Sequence, residues 1–103
     1  MVFFSLLFSV DAPCSPEGLR PIHIAAREGH IQTLRFLSSA GACLQRGDSA
    51  GETALHHAAS AGQLRAVRWL LRHGATILLD KRGRSPVQVA VDHDHMEVSL
   101  NFF

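Results

Sequence analysis

The chain has 103 residues, enough for one small domain, and its 47% hydrophobic content is ordinary for a soluble globular protein. Its formal net charge of +1 gives no indication of a strongly cationic nucleic-acid binder, and no apolar run reaches the roughly 18 residues that a membrane-spanning helix requires. Cys14 and Cys43 form neither a CxxC pattern nor a disulfide framework, which favours a reducing compartment.

The chain begins with an apolar segment, residues 1–17, whose first ten residues read MVFFSLLFSV. Val10 and Ala12 are small enough for a secretory cleavage point, but no Lys or Arg precedes the run and Pro13 would follow the cut. The alternative is a lead segment that covers the exposed apolar face of the first structural unit. We favour the cap and keep a signal as the minority alternative.

The rest of the chain is self-similar. One copy reads GLRPIHIAAREGHIQTLRFLSSAGACLQRGDSA, and the next reads GETALHHAASAGQLRAVRWLLRHGATILLDKR. His23 aligns with His56, and a third copy begins at Gly83 with GRSPVQVAVDHDHMEV. The predicted units are repeat one at 18–50, repeat two at 51–82 and a truncated repeat three at 83–103.

Each copy predicts a short helix, a tight turn, a longer helix and an extended loop. Thr53 suits the N-cap of a first helix, and Pro21 and Pro86 suit its first position, where a missing N–H costs nothing. Gly29 and Gly62 then suit a left-handed helix end. Apolar residues at helical spacing predict the core stripes of the second helices: Ile31, Leu34, Leu37, Leu64, Val67, Leu70 and Leu71.

These residues resemble the ankyrin repeat, whose pattern runs approximately GxTPLHxAAxxGHxxxVxxLLxxGA over about 33 residues. The resemblance rests on PIHIAA, ALHHAA, GH after the first helix and HGA after the second, and it covers residues 18 to about 98. It implies an all-α ankyrin-repeat solenoid of stacked helix-turn-helix units joined by extended hairpin-like loops. It also implies a non-catalytic protein–protein interaction module, with His23 and His56 bonded to backbone between neighbouring repeats.

Four positions depart from the family pattern. Arg20 stands in place of the usual Thr, and Gln88 in place of the motif His. Asp94 replaces the glycine between the helices, and we expect it to adopt the left-handed conformation that Asp tolerates. Ser99 occupies a core position that is apolar in the other copies.

His56 and His57 raise the question of a metal or catalytic site. Neighbouring helix residues point about 100° apart, so the two rings should not bind one ion together. The segment 92–97 is richer in ligand types but lacks the spacing of known zinc motifs. Nucleophile, phosphate and zincin motifs are absent as well. We therefore expect no catalytic residue, no metal and no cofactor.

Arg65, Arg68 and Arg72 follow helical spacing opposite the core stripe and read as a solvated outer face. Trp69 aligns with Phe36 on the predicted packing side, so it offers no aromatic platform for bases. Nucleic-acid binding is therefore not favoured.

The favoured function is recognition of another protein by loop tips and the concave side of the first helices. An acidic patch on the partner would suit the basic residues around Lys81. We expect the chain to be a monomer in the cytoplasm or nucleus. A truncated fragment with little independent function, or an inhibitor that occludes an enzyme or transcription factor, remains an alternative. The candidate contacts are Arg27, Glu28, Arg46, Ser49, Glu52, His57, Ser60, Ala61, Lys81, Arg82 and Arg84.

Overall fold

The computed structural model describes residues 18–100. The predicted lead segment and residues 101–103 lie outside that part. Between residues 18 and 100 the chain forms helices and loops, without a strand, so the predicted all-α class is confirmed. In chain order the helices are α1 Pro21–Glu28, α2 Ile31–Ser39, α3 Ala54–Ser60, α4 Leu64–Arg72, α5 Pro86–Asp92 and α6 Met96–Ser99.

The helices form two layers. The first helices of the repeats, α1, α3 and α5, stack on one another in the inner layer, and the most extensive contacts between helices join α1 to α3 and α3 to α5. Each second helix packs against the first helix of its own repeat. None of the helices within the described range has the length and apolar character needed to cross a bilayer.

Local sequence explains where the first helices begin. Pro21 and Pro86 occupy the first helical positions, as predicted. Thr53 and Ser85 precede α3 and α5 with extended backbone, and the Ser85 Oγ accepts a hydrogen bond from the Gln88 N–H at 3.1 Å. Thr53 thus occupies the N-cap position that the sequence predicts, and at Ser85 the capping oxygen satisfies an amide that has no partner inside the helix.

Left-handed residues separate the two helices of each repeat. Gly62 has φ +71°, and a Cβ placed there would lie 2.7 Å from the His95 ring. Glycine is therefore needed both for its backbone conformation and for the close approach of the next repeat. Asp94 takes the same role in repeat three with φ +60°, which confirms the expectation from its sequence.

The core runs through all three repeats. Ile22 and Leu55 are almost completely buried. Of the predicted stripes, Leu34, Leu37, Val67 and Leu70 lie in the core, whereas Ile31, Leu64 and Leu71 are half-buried and pack against it. Ser99 is also buried, and its Oγ donates to the Met96 carbonyl at 2.8 Å, which satisfies the hydroxyl where the other repeats have an apolar side chain.

The predicted packing side of the second helices needs one correction. Trp69 is half-buried against the core, but the Phe36 side chain at the equivalent position is 66% exposed. Sequence alignment of the two aromatic residues therefore did not imply equal burial.

Candidate functional site

Two hairpin-like tips project from the stacked helices, and each is shaped by an aspartate. We call residues 48–52 the first tip and residues 80–84 the second tip. In the first, Asp48 Oδ1 accepts from the N–H groups of Ala50 and Glu52 at 2.9 and 3.0 Å. In the second, Asp80 Oδ1 accepts in the same way from residues 82 and 84, both at 2.9 Å. The two tips therefore have the same internal hydrogen bonding.

Direct contacts join the two tips. The Lys81 N–H donates to the Ala50 carbonyl at 2.9 Å, and Arg84 Nη2 donates to Glu52 Oε2 at 3.3 Å. A Cβ at Gly51 would lie 2.9 Å from the Lys81 nitrogen, so glycine permits this approach. The tips consequently present one continuous surface.

His23 and His56 fix the loops to the inner helices. His23 Nδ1 accepts from the Arg20 N–H at 3.1 Å, so the neutral ring carries its proton on Nε2, which donates to the Arg46 carbonyl at 2.6 Å. His56 also bonds to backbone through both nitrogens, accepting from the Thr53 N–H at 3.0 Å and donating to the Arg84 carbonyl at 2.9 Å, although Arg84 is not the equivalent of Arg46 in its loop. The bond between neighbouring repeats that the resemblance implied is confirmed for His56, whereas His23 bonds to the loop of its own repeat.

Burial lowers the pKa of His23, and the charges of His57 and Arg20 act in the same direction. The Arg46 carbonyl and the Asp48 carboxylate oppose the effect without reversing it. A protonated ring would also bring an Nδ1 proton against the Arg20 N–H. The neutral ring is therefore the form that holds the loop.

His57 is the residue whose place differs most from expectation. We expected an imidazole on the concave surface, but the residue is 9% exposed and its Nε2 donates to Asp48 Oδ2 at 2.8 Å. Its ring also lies against His23, with centroids 5.2 Å apart. The expected exposure of His57 is thus wrong, because the loop that carries Asp48 folds back over the ring.

The carboxylates of Asp48 and Asp80 stay ionised to low pH. Burial raises the pKa of Asp48, but hydrogen bonds from the Glu52 N–H, from His57 and from the Ala50 N–H together bring it below its ordinary value. For Asp80, burial is likewise outweighed by bonds from the Arg84 and Arg82 N–H groups and from the Arg84 guanidinium. Both aspartates are therefore anions within the fold.

The two tips neutralise their aspartates differently. Arg84 Nε donates to Asp80 Oδ2 at 3.1 Å within the second tip. The equivalent residue of the first tip is Glu52, which offers no donor, and His57 supplies one from α3 instead. Repeat three has Val89 at the position of His57. Each aspartate thus has a side-chain donor. For Asp80 the donor is Arg84 of the same tip, and for Asp48 it is His57 of α3.

Asp48, Glu52 and His57 bring possible metal ligands within 4.8 Å of one another, which no other group does between residues 18 and 100. The 2.8 Å separation of His57 Nε2 and Asp48 Oδ2 is a hydrogen bond, and the proton occupies the nitrogen that would have to bind an ion. Glu52 is engaged by Arg84. The geometry is that of an internal polar network.

Residues 92–97 contain more potential metal ligands, but their side chains make separate local contacts and do not meet at one site. Asp92 Oδ1 accepts from Gln88 Nε2 at 2.8 Å, and the His93 ring bonds to the Val89 carbonyl. His95 and Glu97 are 3.7 Å apart at the start of α6. These side chains therefore stabilise local helix geometry rather than assembling one coordination site.

The remaining candidate contacts divide by exposure. Glu52 and Arg84 are half-buried and paired with each other, and Ser60 is half-buried with its Oγ donating to the His57 carbonyl. The exposed candidates lie in the tips, just before the first tip, or at the ends of α1 and α3: Arg27, Glu28, Arg46, Ser49, Ala61, Lys81 and Arg82.

Sequence reasoning missed the two aspartates that build the tips. Asp48 and Asp80 each stand three positions before a glycine, Gly51 and Gly83, and each glycine N–H donates to the aspartate carbonyl at 2.9 Å. This DxxG spacing, repeated 32 residues apart, was a usable indication of a turn in which an Asp side chain bonds to nearby backbone.

Comparison with known proteins decides the family. A family model described as ankyrin repeats (3 copies) matches residues 2–79 and 22–100. The chain belongs to the ankyrin repeat family. The first match begins within the predicted lead segment, which lies outside the described residues. Ankyrin repeats generally act as protein–protein interaction modules and are generally not catalytic.

Curated relatives share this region but are longer. The chain is similar to the FYVE zinc finger domain protein UPA1 of Mycosarcoma maydis, with 45% identity over 66% of this chain and 5% of the relative. A Caenorhabditis elegans transient receptor potential cation channel subfamily A member 1 homolog is 38% identical over 73% of this chain and 6% of its own length. Human ankyrin repeat domain-containing protein 37 is 36% identical over 80% of this chain and 52% of its own length. The chain thus spans about half of these relatives at most.

Proposed function

We propose that this ankyrin-repeat chain is an adaptor that binds a protein partner through its two tips and the adjoining ends of the inner helices. The supporting observation is the bond between the Lys81 N–H and the Ala50 carbonyl, which combines the tips into one surface. His23 and His56 hold that surface to the helices behind it. Recognition by prearranged side chains requires little ordering on binding.

Charge at the second tip favours an acidic partner. Lys81 and Arg82 are exposed, whereas the Asp80 side chain is 1% exposed and paired with Arg84. The outward charge of this tip is therefore positive, although the sequence from 80 to 84 contains an acid. A carboxylate-rich patch would be attracted to this tip, and the attraction would weaken with salt.

At the first tip and on the concave side, the proposed contacts are Arg46, Ser49, Arg27, Glu28 and Ala61. Glu52, Ser60 and Arg84 support the same surface from half-buried positions. His57 contributes by holding Asp48, not by direct contact with the partner.

We propose further that the chain acts as a monomer in the cytoplasm or nucleus, without enzymatic activity, metal, cofactor or nucleic-acid ligand. Whether binding serves assembly or occludes the partner as an inhibitor depends on which surface of the partner is covered. A fragment without independent function would lack cooperative unfolding, which circular dichroism during heating tests directly.

The direct test is quantitative affinity capture with the full chain, followed by binding measurements on the proteins that it retains. Charge reversal of the second tip, K81E/R82E, should remove or weaken a specific partner by about tenfold or more. The matched control is R35E, which reverses an exposed arginine on α2, away from the tips. Equal retention by K81E/R82E and the unaltered chain would contradict the proposed surface.

A further inference from the structure

A second surface feature lies on the outer layer, away from the tips. The N-terminal end of α2 and the length of α4 enclose a cleft of about 260 Å³. Its lining residues are Ile31, Arg65, Arg68, Trp69, Arg72 and His73. The cleft goes beyond the proposed function, since none of these residues belongs to the tips or the concave surface.

Among the described residues, the formally charged side chains that line the cleft are all arginines. Helix α4 contributes three arginines, and neither α2 nor α4 contains an aspartate or glutamate. Arg65 and Arg72 are exposed, and within the described residues neither makes an ion pair. Positions 65, 68 and 72 span about 10 Å along one helix face. This spacing suits several carboxylates on an extended chain.

The floor of the cleft is apolar. Ile31 and Trp69 are both half-buried and pack against the core, so each leaves part of its side chain towards the cleft. The Trp69 ring is stacked on His73 with centroids 4.0 Å apart and planes tilted by 17°. Because His73 covers one face of the indole, that face is not open for stacking on a nucleic-acid base.

The volume of the cleft and its lining residues indicate which kind of ligand it can bind. A cleft of about 260 Å³ is smaller than the roughly 300–1,000 Å³ typical of sites for small molecules and cofactors. It does accommodate one apolar side chain, with guanidinium groups around it for carboxylates. The pI of the chain is about 8.0, whereas nucleic-acid-binding domains typically have a pI above 9. This difference disfavours a nucleic-acid ligand.

We propose that the cleft between α2 and α4 binds an acidic segment of a protein, with one apolar side chain against Ile31 and Trp69 and carboxylates on Arg65 and Arg72. This site gives the chain a second, separate contact on the face opposite the inner helices. A partner that engages both surfaces would gain affinity from their connection, provided that its chain spans them.

Trp69 is the only tryptophan of the chain, so its fluorescence reports directly on the cleft. The probe is a short synthetic peptide of glutamates around one leucine, titrated into the full chain, with calorimetry as a second readout. Saturable binding is expected, weakened by about tenfold or more in R65E/R72E and by rising salt. The matching peptide with glutamines should not bind.

The variant K81E/R82E separates this site from the tips. Its Trp69 fluorescence titration with the glutamate peptide should match that of the unaltered chain, because Lys81 and Arg82 do not line the cleft, so failure of the tip proposal leaves this test intact. Circular dichroism must show that R65E/R72E retains its helices, which exposure of both arginines predicts. Unchanged peptide affinity in R65E/R72E, or saturable binding of a single-stranded oligonucleotide but not of the peptide, would overturn the proposal.

Discussion

The imidazole of His57 donates to the carboxylate of Asp48 across 2.8 Å, and both side chains are at most 10% exposed. Because Asp48 also accepts two backbone N–H groups, this one carboxylate holds the first tip together and attaches it to α3. The contact is thus both the support of the tip and the reason that His57 is unavailable to a partner.

Replacing His57 with valine, the residue of repeat three at this position, should destabilise the fold. The change leaves Asp48 Oδ2 buried without its side-chain donor, which costs about 1–3 kcal/mol. Urea unfolding followed by circular dichroism measures the loss. A change within about 0.5 kcal/mol would show that water or another group replaces the imidazole without cost.

The double variant E52R/H57V should recover about 1 kcal/mol relative to H57V. It reproduces the second tip, where Arg84 donates to Asp80 and Val89 replaces the histidine. E52R alone breaks the half-exposed contact with Arg84 and should cost at most about 1 kcal/mol. Additive effects of the two substitutions would contradict the equivalence of the tips.

Acidification should destabilise the protein first through His23. A folded-state pKa below the ordinary value of 6.5 means that the unfolded chain binds more protons, so this stability is complete above pH 6.5 and is lost as pH falls. Each unit of lowering corresponds to about 1.4 kcal/mol. The free energy of unfolding should therefore fall as the pH drops below about 6.5.

The variant H23Q removes the titrating group and should flatten this pH dependence, and repeat three already has Gln88 at the position. H30Q is the control, because it makes the same substitution at an exposed histidine. The lowered pKa values of Asp48 and Asp80 act separately: their contribution is present above about pH 3.8 and is lost only below it.

Substitutions at the left-handed residues Gly62 and Asp94 should have opposite effects on stability. G62A forces a side chain into φ +71° and within 2.7 Å of the His95 ring, so it should cost more than about 1 kcal/mol. D94G relieves the same backbone requirement and should gain up to about 1 kcal/mol. A61G controls for the added flexibility of glycine and should lose about 0.5–1 kcal/mol. Thermal unfolding of the three variants compares them directly.

Removal of the Ser85 cap should weaken the start of α5. S85A deletes the oxygen that accepts from the Gln88 N–H, with an expected cost of about 1 kcal/mol. S49A changes an exposed serine of the first tip and should stay within about 0.5 kcal/mol. Equal stability of the two variants in urea would mean that water replaces the cap.

Local chemistry made much of the fold predictable from sequence. Helix ends are specified by the backbone or side-chain properties of Pro21, Ser85 and Gly62. The alignment of His23 with His56 indicates that both rings make hydrogen bonds to backbone. His57 could not be placed in this way, since its burial depends on a carboxylate nine positions earlier that returns over it only when the loop folds. The cleft at Trp69 likewise depends on how α2 and α4 approach.

Hydrogen bonds within and between repeats also set expectations for kinetics. Those of Arg20 and His23 stay within repeat one, those of Gln45, His56 and Arg84 cross between repeats, and all of them join residues only 23 to 32 positions apart. Short sequence separation of contacts favours rapid folding, and stacked repeats can lose structure from one end while the rest persists. Hydrogen exchange should therefore be slow in α3, which packs against both α1 and α5.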